Sequence, residues 1–284
     1  MTSKTEIESL LFLMDDPDPF VQQSVESRLQ ELGEKAVPLL DEYRSEVNEE
    51  DAKNRVNDVI HKLTFGNLES DFIDLLENGI KTRKTLETAI FTLARFGNPT
   101  LRISEYQKKL DHFAQMIEPQ IKYKLDEKRK MKRMLQFIFE DLNFQGDPNN
   151  YHAPQNCFLN QVVDRRKGLP ISLSLIVMFI ARRLEMPFFG INMPIHFMLN
   201  YVGDKEELLI DPYDNGSIVT YDQCYFFLKK NNIDPRPEHF QIATNLDVVL
   251  RCIRNLIHSY ERQEQLERVE DLQKLLNITE MYQD

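Results

Sequence analysis

The sequence predicts an α+β protein that is predominantly helical, and three observations lead there. Over residues 1–144 every clear apolar pattern repeats with a helical period. An almost wholly apolar run, Leu173–Ala181, then precedes the alternating string IHFMLNYV and the short run ELLID, which reads as a buried helix feeding a two-stranded hairpin. The tail, Asn245–Tyr260 and Gln263–Leu276, carries apolar stripes again and forms a helical hairpin.

From the start, SLLFLMDD is a helix with a sharp stop. Asp18 is placed to cap the next helix, with Pro19 at its first position, where a missing N–H is harmless. Phe20, Val21, Val25 and Leu29 are expected on one face, and Gly33 ends the helix in a left-handed conformation. A second helix runs from about Lys35 past Leu40. The turn DDPDPFV followed by LQELGEKAVPLL resembles one HEAT-type repeat near residues 8–45, which must pack on other helices because a single repeat cannot bury both faces.

Between Asp51 and Leu142 the stripes Val56/Val59/Ile60/Leu63 and Phe72/Leu75/Leu76/Gly79/Ile80 are helical, with Gly79 permitting close helix contact. Thr85–Phe96 is a further helix stopped by Gly97, Asn98 and Pro99, then come Leu110–Ile117 and Met134–Leu142. Glu77 reads as a solvated carboxylate. Gln145–Asn156, rich in Gly, Pro, Asn and Asp, is a loop at the seam to the next region.

Composition narrows the function classes. Forty-six acidic against thirty-five basic residues give a net charge of −11, unfavourable for general nucleic-acid binding. KYKLDEKRKMKR (Lys122–Arg133) is the local exception, and Asp126, Glu127 and the apolar Leu125 and Met131 mark it as a solvated helix face. Three dispersed cysteines, Cys157, Cys224 and Cys252, fit neither a disulfide framework nor a metal site, so no metal or cofactor is expected. No apolar run approaches the roughly 20 residues of a membrane span, and no secretory pattern opens the chain, so the expected location is the cytoplasm.

In the central stretch, Pro170 opens the apolar helix, Arg182 and Arg183 complement its C-terminal dipole, and Pro187 stops it. With a two-residue turn at Gly203–Asp204, Asp211 stands opposite His196; with a four-residue loop, Gly203–Glu206, it stands opposite Met198. In either register His196 and Asp211 share a face, and the carboxylate would fix the imidazole tautomer, the supporting role in a catalytic triad.

Residues 151–220 closely resemble the transglutaminase-like core of the bacterial SirB family, through Asn156, Asn160, Arg165, Arg166, GLPISLSL, GINMPIHFMLNY and IDPYDNG. The flanks resemble that family more loosely, the tail also resembling a tetratricopeptide-like unit. The resemblance implies a papain-like core at 145–240, between a helical region at 1–144 and a helical hairpin at 241–284. Active relatives of this type carry a cysteine at the start of the central helix, where the dipole favours thiolate. That position falls on Pro170, so His196 and Asp211 remain without the nucleophile.

Two substitutes exist in the chain. Ser174 lies one turn deeper, where a hydroxyl commonly bonds the carbonyl four residues back, and Cys157 lies in the polar lead-in. Asn156 and Asn160 either frame a binding site or cap a turn; Arg165 and Arg166 either bind an anion or pair with the chain's acids. The expectation is a non-catalytic binding or regulatory protein with a protein or peptide partner. The alternative is a hydrolase or acyl-transfer enzyme in which His196 and Asp211 activate water, Ser174 or Cys157.

Overall fold

The computed structural model describes residues 4–14, 16–122 and 125–283. Tyr123 and Lys124 of the basic stretch lie outside the described residues. The chain divides into two compact units, residues 1–71 with 94–101, and residues 72–93 with 102–284.

In the first unit α1 (Lys4–Leu13), α2 (Pro19–Leu32), α3 (Val37–Glu46) and the leading part of α4 (Glu50–Glu77) bury Ile7, Leu10, Val25, Leu29, Leu40, Val56 and Ile60 together. Asp18 caps α2, its Oδ1 accepting from Phe20 N–H at 2.9 Å, and Gly33 ends it at φ +53°. Phe20 departs from the expected stripe and is 76% exposed. At about 100° per residue it stands about 140° from Val25, off the buried face. The two stripes expected after Asp51 merge into the 28 residues of α4. Gly79 lies beyond its end at φ +80°, so it serves a turn and not a close helix contact.

The second unit is built around a buried helix. After α5 (Arg83–Ala94), α6 (Ile103–Ile121) and α7 (Glu127–Gln136), a π-helical turn at Phe137–Asp141 leads into the Gln145–Asn156 segment. That segment is more than a loop. Its first two residues, β1 (Gln145–Gly146), pair in parallel with β2 (Lys167–Gly168), which follows α8 (Leu159–Arg165). Then α9 (Pro170–Arg183) begins, and each side chain from Pro170 to Ala181 is buried. At roughly 1.5–3 kcal/mol for each large apolar side chain, this burial is a dominant contribution to the unit's stability.

Four antiparallel strands follow in the order β3 (Phe188–Ile191), β4 (Met198–Val202), β5 (Glu207–Asp211) and β6 (Ser217–Val219). The sheet thus extends the expected hairpin on both edges. The β4–β5 register pairs Val202 with Glu207 and Leu199 with Ile210, the four-residue-loop alternative. Alternation assigns the faces. Gly190, which pairs with Leu199, has Met178 of α9 beside it, whereas Met198 and Leu209 pack on the other face with Cys224 and Leu228 of α10 (Tyr221–Lys230). α11 (Asn245–Glu261) and α12 (Leu266–Glu280) close the unit as the expected hairpin. Among the described residues no helix is long and apolar enough to cross a membrane.

The C-terminal end of α9 is pinned by charge. Glu87 of α5, 1% exposed, accepts from Arg183 Nη1 at 2.6 Å and Nη2 at 3.0 Å and from Arg182 Nη2 at 3.0 Å; Arg183 Nε reaches Asp111 at 2.5 Å. Removing one partner of a buried pair strands the other charge, at a cost of about 3 kcal/mol or more. E87A is therefore expected to lose about 3 kcal/mol in urea unfolding. E87L/R183M, which removes the central charges from both sides, is expected to recover much of it; equal loss in both variants contradicts this assignment.

Candidate functional site

The segment before β4 positions the imidazole. Ile195 takes φ +56°, His196 N–H donates to Met193 O at 3.2 Å, and the strand begins only at Met198. His196 therefore stands at the mouth of the strand and not within its alternation as expected. Its Nε2 lies 2.9 Å from Asp211 Oδ2, and both side chains keep a little exposure to solvent, 13% and 20%. Asp211 is held from the other side as well. Its Oδ1 accepts from the backbone N–H of Tyr213 at 2.9 Å and Asp214 at 3.3 Å, and its carbonyl accepts from Gly216 N–H at 2.9 Å. Gly216 sits at φ +73°, where a Cβ would stand 2.7 Å from the Phe139 ring, so the turn that aims Asp211 requires glycine.

With Asp211 on Nε2, the hydrogen bond selects the tautomer that carries its proton there and leaves Nδ1 as an acceptor. The ring packs against Phe227 of α10 at 5.6 Å and edge-on to Tyr213 at 6.4 Å between centroids. The pair thus belongs to the sheet face that α10 covers. Tyr213 continues the wall to Tyr151, 5.9 Å away and T-shaped, and lies so close to Gly146 that a Cβ there would come within 2.5 Å of the ring.

The possible nucleophiles are committed elsewhere. Pro170 occupies the first turn of α9 and offers no reactive atom. Ser174 is fully buried and donates to Pro170 O at 2.8 Å, the back-bond expected of a hydroxyl inside such a helix. Ser172 bridges Asn156 O at 2.7 Å and Leu169 N–H at 2.8 Å, joining the lead-in to the helix start. Cys157 is buried against Ser259 of α11, Sγ to Oγ 3.6 Å, and burial pushes its thiol up to about 12. Cys224 and Cys252 are buried too, and burial raises both thiols.

Asn156 and Arg165 come together, with Asp147 as a third member that the sequence did not single out. Arg165 donates to Asn156 Oδ1 at 3.0 Å and to the buried Asp147 Oδ2 at 3.2 Å, while Asn156 Nδ2 donates to Asn150 O at 2.7 Å. This lattice holds the lead-in against the start of α9. Arg165 thus pairs with an acid of the chain, one of the two alternatives expected for it. Arg166 does not: at φ +61° its guanidinium stacks over Phe113 and Phe144, 4.5 and 4.6 Å from the ring centroids. Asn156 ends a short 3-10 turn and Asn160 lies buried within α8 against Tyr106, so neither caps that helix, whose N-cap is Phe158. Tyr213, Tyr151 and Phe227 escaped notice because isolated aromatics carry no spacing signal; only the adjacency of Tyr213 to IDP marked it.

A helical surround, a buried central helix and a His–Asp pair on a small antiparallel sheet define a protein of transglutaminase-like type. The family description "transglutaminase-like superfamily" matches residues 104–254, more than half the chain, and the chain belongs to that superfamily. It is similar to a UPF0162 protein of Xylella fastidiosa, 26% identical over 194 residues, covering 66% of this chain and 69% of that one. A UPF0162 protein of Vibrio cholerae is 26% identical over 199 residues, covering 68% and 69%. A shorter stretch, 99 residues and 32% of this chain, is 31% identical to human F-box only protein 21, of which it covers 16%. No solved structure matches.

Burial of all three thiols has a direct consequence. In the folded protein at pH 8, an aromatic disulfide reagent is expected to titrate none of them promptly, and all three after guanidinium unfolding. Prompt release of one equivalent from the folded protein contradicts the burial described.

Proposed function

We propose that the protein is a non-catalytic transglutaminase-like module of the SirB type, which uses the surroundings of His196 and Asp211 to bind a protein or peptide partner. The observation that carries this reading is Pro170 at the start of α9, in the position where active relatives carry the nucleophile. The commitments of Ser174 and Cys157 support it further: one hydroxyl is spent on the helix backbone, and one thiol is kept neutral by burial. The His196 side chain has its hydrogen bond with Asp211 and its ring contacts with Tyr213 and Phe227, none of which offers a nucleophilic thiol or aliphatic hydroxyl.

A portable binding module also accords with the similarity to a small part of a much longer F-box only protein. In this reading the tetratricopeptide-like hairpin at the C-terminus extends the interaction surface of the core, and the HEAT-like helices near residues 8–45 offer a separate one. The second reading is an enzyme in which the pair activates water. It is favoured by one feature: an imidazole oriented by a carboxylate and partly open to solvent.

Covalent probes test the absence of a resident nucleophile. Incubation of the folded protein with a fluorophosphonate and with iodoacetamide, read by intact mass, is expected to give no adduct that depends on His196. An adduct on Ser174 or Cys157 that disappears in a folded H196A variant overturns the proposal.

A further inference from the structure

One face of α11 carries Arg251 and His258, and Arg262 follows directly after its end. The spacings of seven and four residues set these side chains along one stripe. Arg251 is partly buried and donates from Nη1 to Asn192 Oδ1 at 3.1 Å; Arg262 donates from Nε to His258 Nε2 at 3.1 Å. Among the described residues neither arginine meets a carboxylate, in a chain with 46 acidic residues and a net charge of −11. Their neighbour Arg254 behaves in the ordinary way, reaching Glu280 of α12 at 2.7 Å. Among other partly buried arginines of this unit, Arg165 meets Asp147, Arg133 meets Asp141, Arg182 and Arg183 meet Glu87, and Arg166 and Arg83 stack over aromatic rings.

His258 accepts from Arg262 through Nε2 and has its Nδ1 3.7 Å from Glu261, and the helix dipole accounts for the Arg262 cation just past the end of α11. It does not account for Arg251, which is mid-helix and holds its charge against desolvation with an amide oxygen as its hydrogen-bond partner. The stripe is also bordered by rings. His152 stacks edge-on to His258 at 5.2 Å and to Tyr151 at 5.1 Å, and Arg251 acts electrostatically on the Tyr151 hydroxyl. From Tyr151 the wall passes through Tyr213 to His196. Asn192, which orients Arg251, belongs to the same connection between β3 and β4 that carries His196.

We propose that Arg251, His258 and Arg262 form a carboxylate-binding strip beside the His196–Asp211 pair, taking an acidic segment of a protein partner with Arg251 as the anchor. The proposal rests on reading the core as a binding module and adds the chemistry of what it binds. A guanidinium fork held by an amide, with N–H groups unspent on protein acceptors, matches the geometry of a carboxylate. The charge complementarity is local: the acidic chain as a whole repels such a segment, while the strip offers it guanidinium N–H groups that no carboxylate among the described residues takes up.

The test uses the full chain and an N-terminally fluorescein-labelled triglutamate peptide with an amidated C-terminus, read by anisotropy at low ionic strength. Binding is expected for triglutamate and not for the matching triglutamine peptide, weakening as salt is raised. R251Q is expected to weaken it at least about tenfold, R262Q less, with the melting temperature of R251Q unchanged. Absence of triglutamate binding, or equal binding by wild type and R251Q, overturns the strip. A separate readout guards the reading beneath it: if mass spectrometry finds the peptide cleaved by wild type and not by H196A, the non-catalytic reading fails, while the R251Q comparison still decides the anchor.

Discussion

A helix with no polar face must be covered on every side, and α9 imposes that constraint on the second unit. From Pro170 to Ala181 every side chain is buried and the two serines bond within the protein, so α6, α8 and the sheet close around it. Its two ends cannot be left to solvent-exposed caps. At the start, Ser172 satisfies Leu169 N–H and Asn156 O, and the Asn156–Arg165–Asp147 side chains brace the lead-in. At the end, Glu87 and Asp111 neutralise Arg183. Most of the polar residues that attract attention in this region are therefore explained by holding α9 in place.

That explanation reassigns residues away from chemistry. Asn156, Arg165 and Ser172 are polar because a buried helix start needs donors and acceptors with fixed partners. Ser174 and Cys157 carry reactive atom types, yet one is spent on a carbonyl and the other is desolvated. What the scaffold leaves over is the His196–Asp211 pair, aimed by a glycine-dependent turn and walled by Tyr213 and Phe227. An oriented imidazole can hydrogen-bond a ligand as well as move a proton. Without a partner nucleophile beside the pair, the binding role is the one we propose.

Much of this was legible in the chain itself, wherever a local rule and the tertiary fold agree. The cap at Asp18–Pro19, the all-apolar α9, the back-bonded Ser174 and the C-terminal hairpin follow from period, cap chemistry and composition. The proximity of His196 and Asp211 was expected from period-two alternation, but the structure reaches it from the turn before β4, where His196 lies outside that alternation, and with the longer of the two loops considered. Illegible were features set by non-local partners. Arg165 and Arg166 are adjacent and identical in type, yet one meets a carboxylate and the other two phenyl rings, because a residue at φ +61° turns its side chain to a different neighbour. Glu87 carries no signal of its role in its own helix, because its partners Arg182 and Arg183 lie on α9. β3 and β6 were hidden in short runs whose pairing depends on strands already formed.

The central claim is that the retained pair works without catalysis. Its most direct test is steady-state hydrolysis of a p-nitrophenyl ester by wild type and by a folded H196A variant, followed from the first seconds. The account predicts no burst and the same background rate in both proteins. A wild-type rate at least about a hundredfold above H196A, the scale of general acid–base catalysis, would contradict it.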